Sequence, residues 1–177
     1  MPVTRLASMN DAAALTDLLT TNRDFLAPWQ PARNETFFSL DTQRELLADA
    51  LDAYARGTAL PLVITAEDGQ PIGQLTLSGI TRGAFQSASL GYWVSTSHNG
   101  RGFATAAVTE AITIAFQELA LHRLQAEILP HNTASQRVLT RNGFVPFAVA
   151  PAYLNIAGSW QDHLIYHRIN ERWQANT

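Results

Sequence analysis

The residues most able to do chemistry lie in Ser97-His98-Asn99-Gly100-Arg101-Gly102-Phe103-Ala104-Thr105. Small residues at Gly100, Gly102 and Ala104 let the backbone approach a ligand closely and adopt dihedrals closed to bulkier residues. Here a strand through Trp93 and Val94 gives way to a helix. The free N–H groups of that helix's first turn, at the positive end of its dipole, favour an anion. A pyrophosphate suits such a cradle, and Arg101 adds a charged donor. Alone, the turn reads equally as an ordinary strand-to-helix connection, because short glycine motifs recur by chance. About thirty residues on, Asn132-Thr133-Ala134-Ser135 is followed by Asn142-Gly143-Phe144. Asn132 is a favoured helix cap, which accounts for it without any ligand. A third region is chemically distinctive: Phe25 to Phe38, broken by Pro28 and Pro31, holds Phe25, Trp29, Phe37 and Phe38 beside the carboxylate of Glu35.

Hydrophobic spacing places these residues on elements. A short strand opens the chain over Pro2–Leu6, and Asn10 or Asp11 caps a helix through Ala12, Leu15, Leu18 and Leu19. After the proline-broken stretch a second helix starts near Asp41, with Leu46, Leu47, Ala50, Leu51 and Tyr54 on one face, and Gly57 suits its stop. Leu60–Thr65 and Pro71–Ile80 form a hairpin, and Ala88–Ser95 makes a third strand. Gly102 to about Leu119 is the clearest amphipathic helix. A strand over His122–Leu129, a short helix from Asn132 to Asn142, and two closing strands over Phe144–Ala150 and Gln161–Ile169 complete the order. The arrangement is α/β (α+β), built around one central mixed sheet, and it lacks the strict alternation of a doubly wound fold.

Composition narrows the field. A chain of 177 residues with 46% hydrophobic content suits one domain over 1–177 with a full core. Net charge is −3 and all 12 basic residues are Arg, spread along the chain, so no basic face for nucleic acid is expected. Cysteine is absent, which removes disulfides, thiolate nucleophiles and Cys-based zinc sites. No apolar run nears the roughly 20 residues of a membrane span, and no signal peptide is visible. The expectation is a cytoplasmic protein with no metal and no membrane partner.

Taken together, the two motifs resemble the paired signatures of the GNAT superfamily of N-acetyltransferases: the glycine turn at Asn99–Ala104, and Asn132-x-x-Ser135 in a short helix ending in Gly143-Phe144. Phe25–Pro31, Thr81–Phe85, Leu90-Gly91-Tyr92 and Tyr153–His163 are similar to the RimJ/RimL ribosomal-protein-alanine acetyltransferases, the RimJ branch above all. The likeness runs from about Val3 to Trp173.

It implies a mostly antiparallel sheet flanked by helices, with a splayed, V-shaped cleft for CoA. It also implies acetyl-CoA as co-substrate, and a primary amine, a protein N-terminus such as that of a ribosomal protein, as acceptor. Trp93, Val94, Asn99, Gly100, Arg101, Gly102, Phe103, Ala104, Thr105 and Asn132 become the CoA-binding residues. Ser135 becomes the candidate general acid at the sulfur, with Tyr153 as its rival, and Glu35 the contact to the acceptor. Asn99 departs from the Gln or Arg usual at the first motif position. Ala152 stands where relatives often carry an acid, so the general base stays open among Glu35, Glu127, Asp162 and a water relay. A small-amine acetyltransferase and a catalytically silent CoA-binding module are the alternatives, and the chain is either a monomer or a homodimer.

Overall fold

A computed structural model describes residues 2–174. Met1 and residues 175–177, the ends of the expected domain, lie outside the described residues. Seven strands join in one sheet: β1 (Thr4–Leu6), β2 (Leu60–Thr65), β3 (Pro71–Thr81), β4 (Ser87–Val94), β5 (Arg123–Ile128), β6 (Val145–Ile156) and β7 (Ser159–Ile169). Their spatial order is β1-β2-β3-β4-β5-β7-β6. Only β4 and β5 run parallel, and every other neighbouring pair is antiparallel. This is the mixed, mostly antiparallel sheet expected from the sequence.

Alternation along the strands separates two faces. Leu75, Leu77, Leu90, Leu124, Ala126 and Tyr166 point to one face and pack with Val108, Ala111, Ala115 and Leu139 of helices α4 (Phe103–Thr113) and α5 (Thr133–Arg141). Each fully buried leucine there contributes on the order of 1.5–3 kcal/mol. Val63 on the other face meets Leu15 of α1 (Ala12–Thr21) and Leu47 of α3 (Leu40–Ala55). A short helix, α2 (Arg23–Leu26), and two 3₁₀ turns fill the proline-broken stretch between α1 and α3.

Several boundaries differ by a residue or two from the sequence expectations, and at four places a local feature accounts for what is seen. The first helical segment is capped by Ser8, whose backbone N–H donates to Asp11 Oδ2 at 2.8 Å, so Asp11 reaches back to the cap instead of being it. α3 begins one residue before Asp41, on the Ser39 cap. The long helix after Gly102 ends in a π-helical turn over Ile114–Glu118. Strand β6 continues six residues past Ala150, through a register shift between Ala150 and Leu154, because Ala152 takes a φ of +45° and resumes the pairing. As the sheet's outer strand it is exposed along most of its length, which leaves no alternation in the sequence to mark it.

Two buried asparagines hold the elements that matter most. Asn22 Oδ1 accepts from Thr96 N at 2.9 Å and from the Thr96 and Ser95 hydroxyls, while its Nδ2 donates to the Leu18 carbonyl, tying α1 to the turn after β4. Asn142 Oδ1 accepts from Thr109 Oγ1 at 2.7 Å and its Nδ2 donates to the Thr105 and Val138 carbonyls, locking the first turns of α4 to the end of α5.

Candidate active site

The parallel pairing of β4 with β5 covers only Ser87–Ser89 against Arg123–Gln125. Beyond it β4 runs on to Val94 and β5 to Ile128 without a ladder between them, so the sheet splits into a wedge. The far side of β4 stays bonded to β3, and Ser95 N–H donates to the Ile72 carbonyl at 2.7 Å. Counting back in twos, the main-chain groups of Trp93 and Gly91 face β3, and those of Tyr92 and Val94 face the gap. Gly73 opposite is required by this close approach, since a Cβ there would run into the Trp93 carbonyl oxygen.

At the wide end of the wedge lies the glycine turn. Gly100 has φ +75° and Gly102 φ +88°, both left-handed, and a Cβ on either would project into open space. α4 begins on Gly102 without a side-chain cap, and Ala106 N–H bonds to the Gly102 carbonyl. The N–H groups of Phe103, Ala104 and Thr105 therefore precede the helix's own bonding and face the cradle. Arg101 extends over Phe103 at 5.5 Å from the ring centroid, inside the roughly 6 Å reach of a cation–π contact. Asn99 is exposed at the start of the turn.

Inside the wedge a cleft of about 350 Å³ is lined by Trp29, Gly91, Tyr92, Trp93, Glu127, Asn132, Ser135 and His163, among others. Asn132 Oδ1 accepts from Ser135 N at 3.1 Å, so the capping role read from the sequence is present, and its side chain still borders the cleft. Ser135 Oγ lies 2.7 Å from the Tyr92 hydroxyl, which also donates to the Ser135 carbonyl at 3.2 Å. Burial pushes the Tyr92 phenol up to about 12, against the smaller opposing effect of Ser135, so Tyr92 keeps its proton at neutral pH. Tyr92 packs on the α4 side of the sheet. Glu127 lies on the opposite side, where its Oε1 accepts from Gln125 Nε2 at 3.1 Å and Ser89 Oγ at 3.3 Å. Trp29 packs at a tilt against His131 with ring centroids 5.3 Å apart, and Ala157 N–H donates to the Gln30 carbonyl, so the segment before α3 roofs the cleft.

The acetyltransferase (GNAT) domain family matches residues 4–145. The chain belongs to the GNAT acetyltransferases. This GNAT enzyme is 31% identical to the ribosomal protein uS5-alanine N-acetyltransferase of Escherichia coli over 172 residues, covering 97% of the chain and 89% of the relative. Its fold overlays the ribosomal-protein-S5-alanine acetyltransferase of Vibrio fischeri with a TM-score of 0.92 at 32% identity, covering 97% of this chain and 94% of the other. Mycobacterium smegmatis RimJ in complex with CoA-disulfide overlays equally well, at 0.92 and 33% identity, covering 97% and 83%.

Of the acetyltransferase's other anticipated site residues, Glu35 and Asp162 lie outside the cleft lining, and Tyr153 stands at its edge, its ring centroid 6.0 Å from that of His163. Glu35 is exposed and bonded to Arg23 at 2.5 Å, and the Arg23 hydrogen bond holds its carboxyl below the usual range. Tyr153 is 42% exposed on β6. Asp162 Oδ1 accepts from Ala152 N at 2.8 Å and so fastens the irregular step of β6. Sequence reasoning gave no role to Tyr92 or His163. Both were visible only within segments quoted for the resemblance, Leu90-Gly91-Tyr92 and Tyr153–His163, and the place of His163 in the cleft follows only once β7 is paired with β5.

Proposed function

We propose that this GNAT enzyme transfers acetyl from acetyl-CoA to the α-amine of a protein N-terminus, by direct attack of the amine on the thioester. One observation carries the reading: the cleft passes through the sheet, with the Tyr92–Ser135 hydroxyl pair on one side and Glu127 on the other. A direct transfer needs a proton donor where the thiolate leaves and a proton acceptor where the amine enters.

The residues fit CoA at two places. The left-handed Gly100 and Gly102 and the free N–H groups of Phe103 to Thr105 suit the pyrophosphate, with Arg101 as a further donor. The gap-facing main chain of Tyr92 and Val94 suits the amides of the pantetheine arm, Asn132 borders the same path, and the Val94 N–H would polarise the thioester carbonyl. Ser135 protonates the departing sulfur, and Tyr92 supplies that proton through the 2.7 Å bond. On the other side, Glu127 draws in the ammonium. An α-amine has an ordinary pKa near 8 against about 10.4 for a lysine, so far less work is needed to reach the neutral nucleophile.

The relatives named for ribosomal-protein alanine support a peptide beginning with Ala as the acceptor class. Thiol release from acetyl-CoA tests this with three acceptors: an Ala-initiated peptide, the same peptide with a blocked N-terminus, and spermidine. Release with the first alone is expected. Release with spermidine alone would replace the protein acceptor by a small amine.

A further inference from the structure

We infer that His163 is the group that takes the proton from the acceptor amine; this rests on the acetyl-transfer reading above. His163 is only 2% exposed, yet it lines the cleft together with Glu127 and Ser135. Its Nδ1 lies 2.9 Å from the Gln161 carbonyl oxygen. A carbonyl can only accept, so Nδ1 carries the hydrogen, and in the neutral ring the lone pair is on Nε2. Nε2 has no hydrogen-bond partner among the described residues. Among the described residues Nε2 is not sealed off from solvent, and the ring that carries it lines the cleft.

The sheet register places this lone pair on the acceptor side. Glu127 pairs with Ile165 across β5 and β7, so His163 lies two residues along on the same face as Glu127, just past the end of the ladder. That is where the wedge is open. The hydroxyls of Tyr92 and Ser135 lie on the other side. Glu127 is already engaged by Gln125 and Ser89, which suits a fixed charge that attracts the ammonium, whereas His163 holds a free acceptor. The position of Ala152, where relatives often carry an acid, is then no loss of the base.

The protons balance. His163 Nε2 takes one proton from the ammonium and releases it to solvent. The neutral nitrogen bonds to the acetyl carbon, and its second proton leaves to the same Nε2 as the carbon–sulfur bond breaks. Ser135 gives one proton to the sulfur and regains one through Tyr92 from solvent. One ammonium and one thioester thus yield one amide, one thiol and one free proton.

The titratable groups facing His163 are Glu127 from β5 and Tyr153 from β6, whose ring centroid is 6.0 Å away. Asp162, its neighbour on β7, is turned to Ala152. The segment over the cleft contributes the uncharged Trp29 and Gln30, with His131 packed against Trp29.

The test is the pH profile of kcat/KM for an Ala-initiated peptide. In the wild type, rate should fall on the acid side as one group gains a single proton. His163→Gln should lose about 10²- to 10⁴-fold in rate and lose that limb, with CoA affinity by calorimetry within about twofold. Imidazole in the buffer should restore part of the rate to His163→Ala. Glu127→Gln should keep the limb and raise the peptide KM. A His163→Gln enzyme that keeps the limb at near wild-type rate, or a limb lost only in Glu127→Gln, overturns the assignment. An NMR titration of the His163 ring in the wild type needs no variant: its midpoint should coincide with the limb, and a mismatch overturns the assignment. A wild-type enzyme that binds CoA but releases no thiol with any amine would overturn the acetyl-transfer reading itself, a result separable from all of these.

Discussion

Replacing Gly102 by Val separates the phosphate cradle from backbone strain. Gly102 sits at φ +88°, ψ −7°, and its Cβ would meet no protein atom within 4 Å. The fold is therefore asked to bear only the left-handed backbone, about 1–2 kcal/mol for an L residue. In a protein of this size that lowers Tm by roughly 2–4 °C per kcal/mol. Gly69, in the turn between β2 and β3, has φ +83° and equally open surroundings, so Gly69→Val carries the same strain with no cradle nearby. The two variants should melt alike. They should differ in CoA affinity, because the side chain added at position 102 fills the space that the phosphate oxygens need. Hydrogen bonds to charged groups are worth about 1.5–3 kcal/mol each. Loss of about 3 kcal/mol of such bonding weakens Kd roughly 150-fold. Calorimetric titration of CoA into both folded variants reads this directly. A Gly102→Val protein that binds CoA as tightly as Gly69→Val would refute the cradle.

Other consequences are more local. Ser135→Ala should lower kcat by about 10²- to 10⁴-fold with CoA affinity nearly unchanged, and Tyr92→Phe should lower it in the same direction; stopped-flow thiol release separates both from binding defects. Asn22→Ala leaves the Thr96 N–H unpaired beneath the turn after β4 and should cost about 1–3 kcal/mol in urea unfolding. Asp11, held below the ordinary carboxylate range chiefly by its hydrogen bond to Arg5, has a folded pKa under its unfolded one. Its contribution is complete above the unfolded value and fades as pH falls through the folded one, so Asp11→Asn should flatten that part of the acid-side stability curve.

Much of this was legible in the sequence because the informative residues are local. The glycine turn, the Asn132 cap and the amphipathic helix after Gly102 are set by neighbours within a turn or two, and each lies where its spacing placed it. The sheet's two faces were visible as alternation in β3 and β5. What was not legible depends on distant pairing. Tyr92 and Ser135 are 43 positions apart and meet only because α5 packs beside the splayed strand. His163 becomes a cleft residue only through the register of β7 on β5. Glu35 looked like an acceptor contact because it neighbours aromatic residues, but Arg23, twelve positions earlier, claims its carboxylate. Asn142 ends α5 as its position suggests, but its amide also reaches across to the Thr105 carbonyl at the start of α4, a contact that the sequence does not reveal.

The most direct test of the central claim is mass spectrometry of an Ala-initiated peptide incubated with acetyl-CoA and the enzyme, with fragmentation to locate the product. The account predicts a single acetyl group on the α-nitrogen, formed in step with free thiol and suppressed in Ser135→Ala. Acetyl on a side-chain amine alone, or none on the peptide while CoA binds tightly, would contradict it.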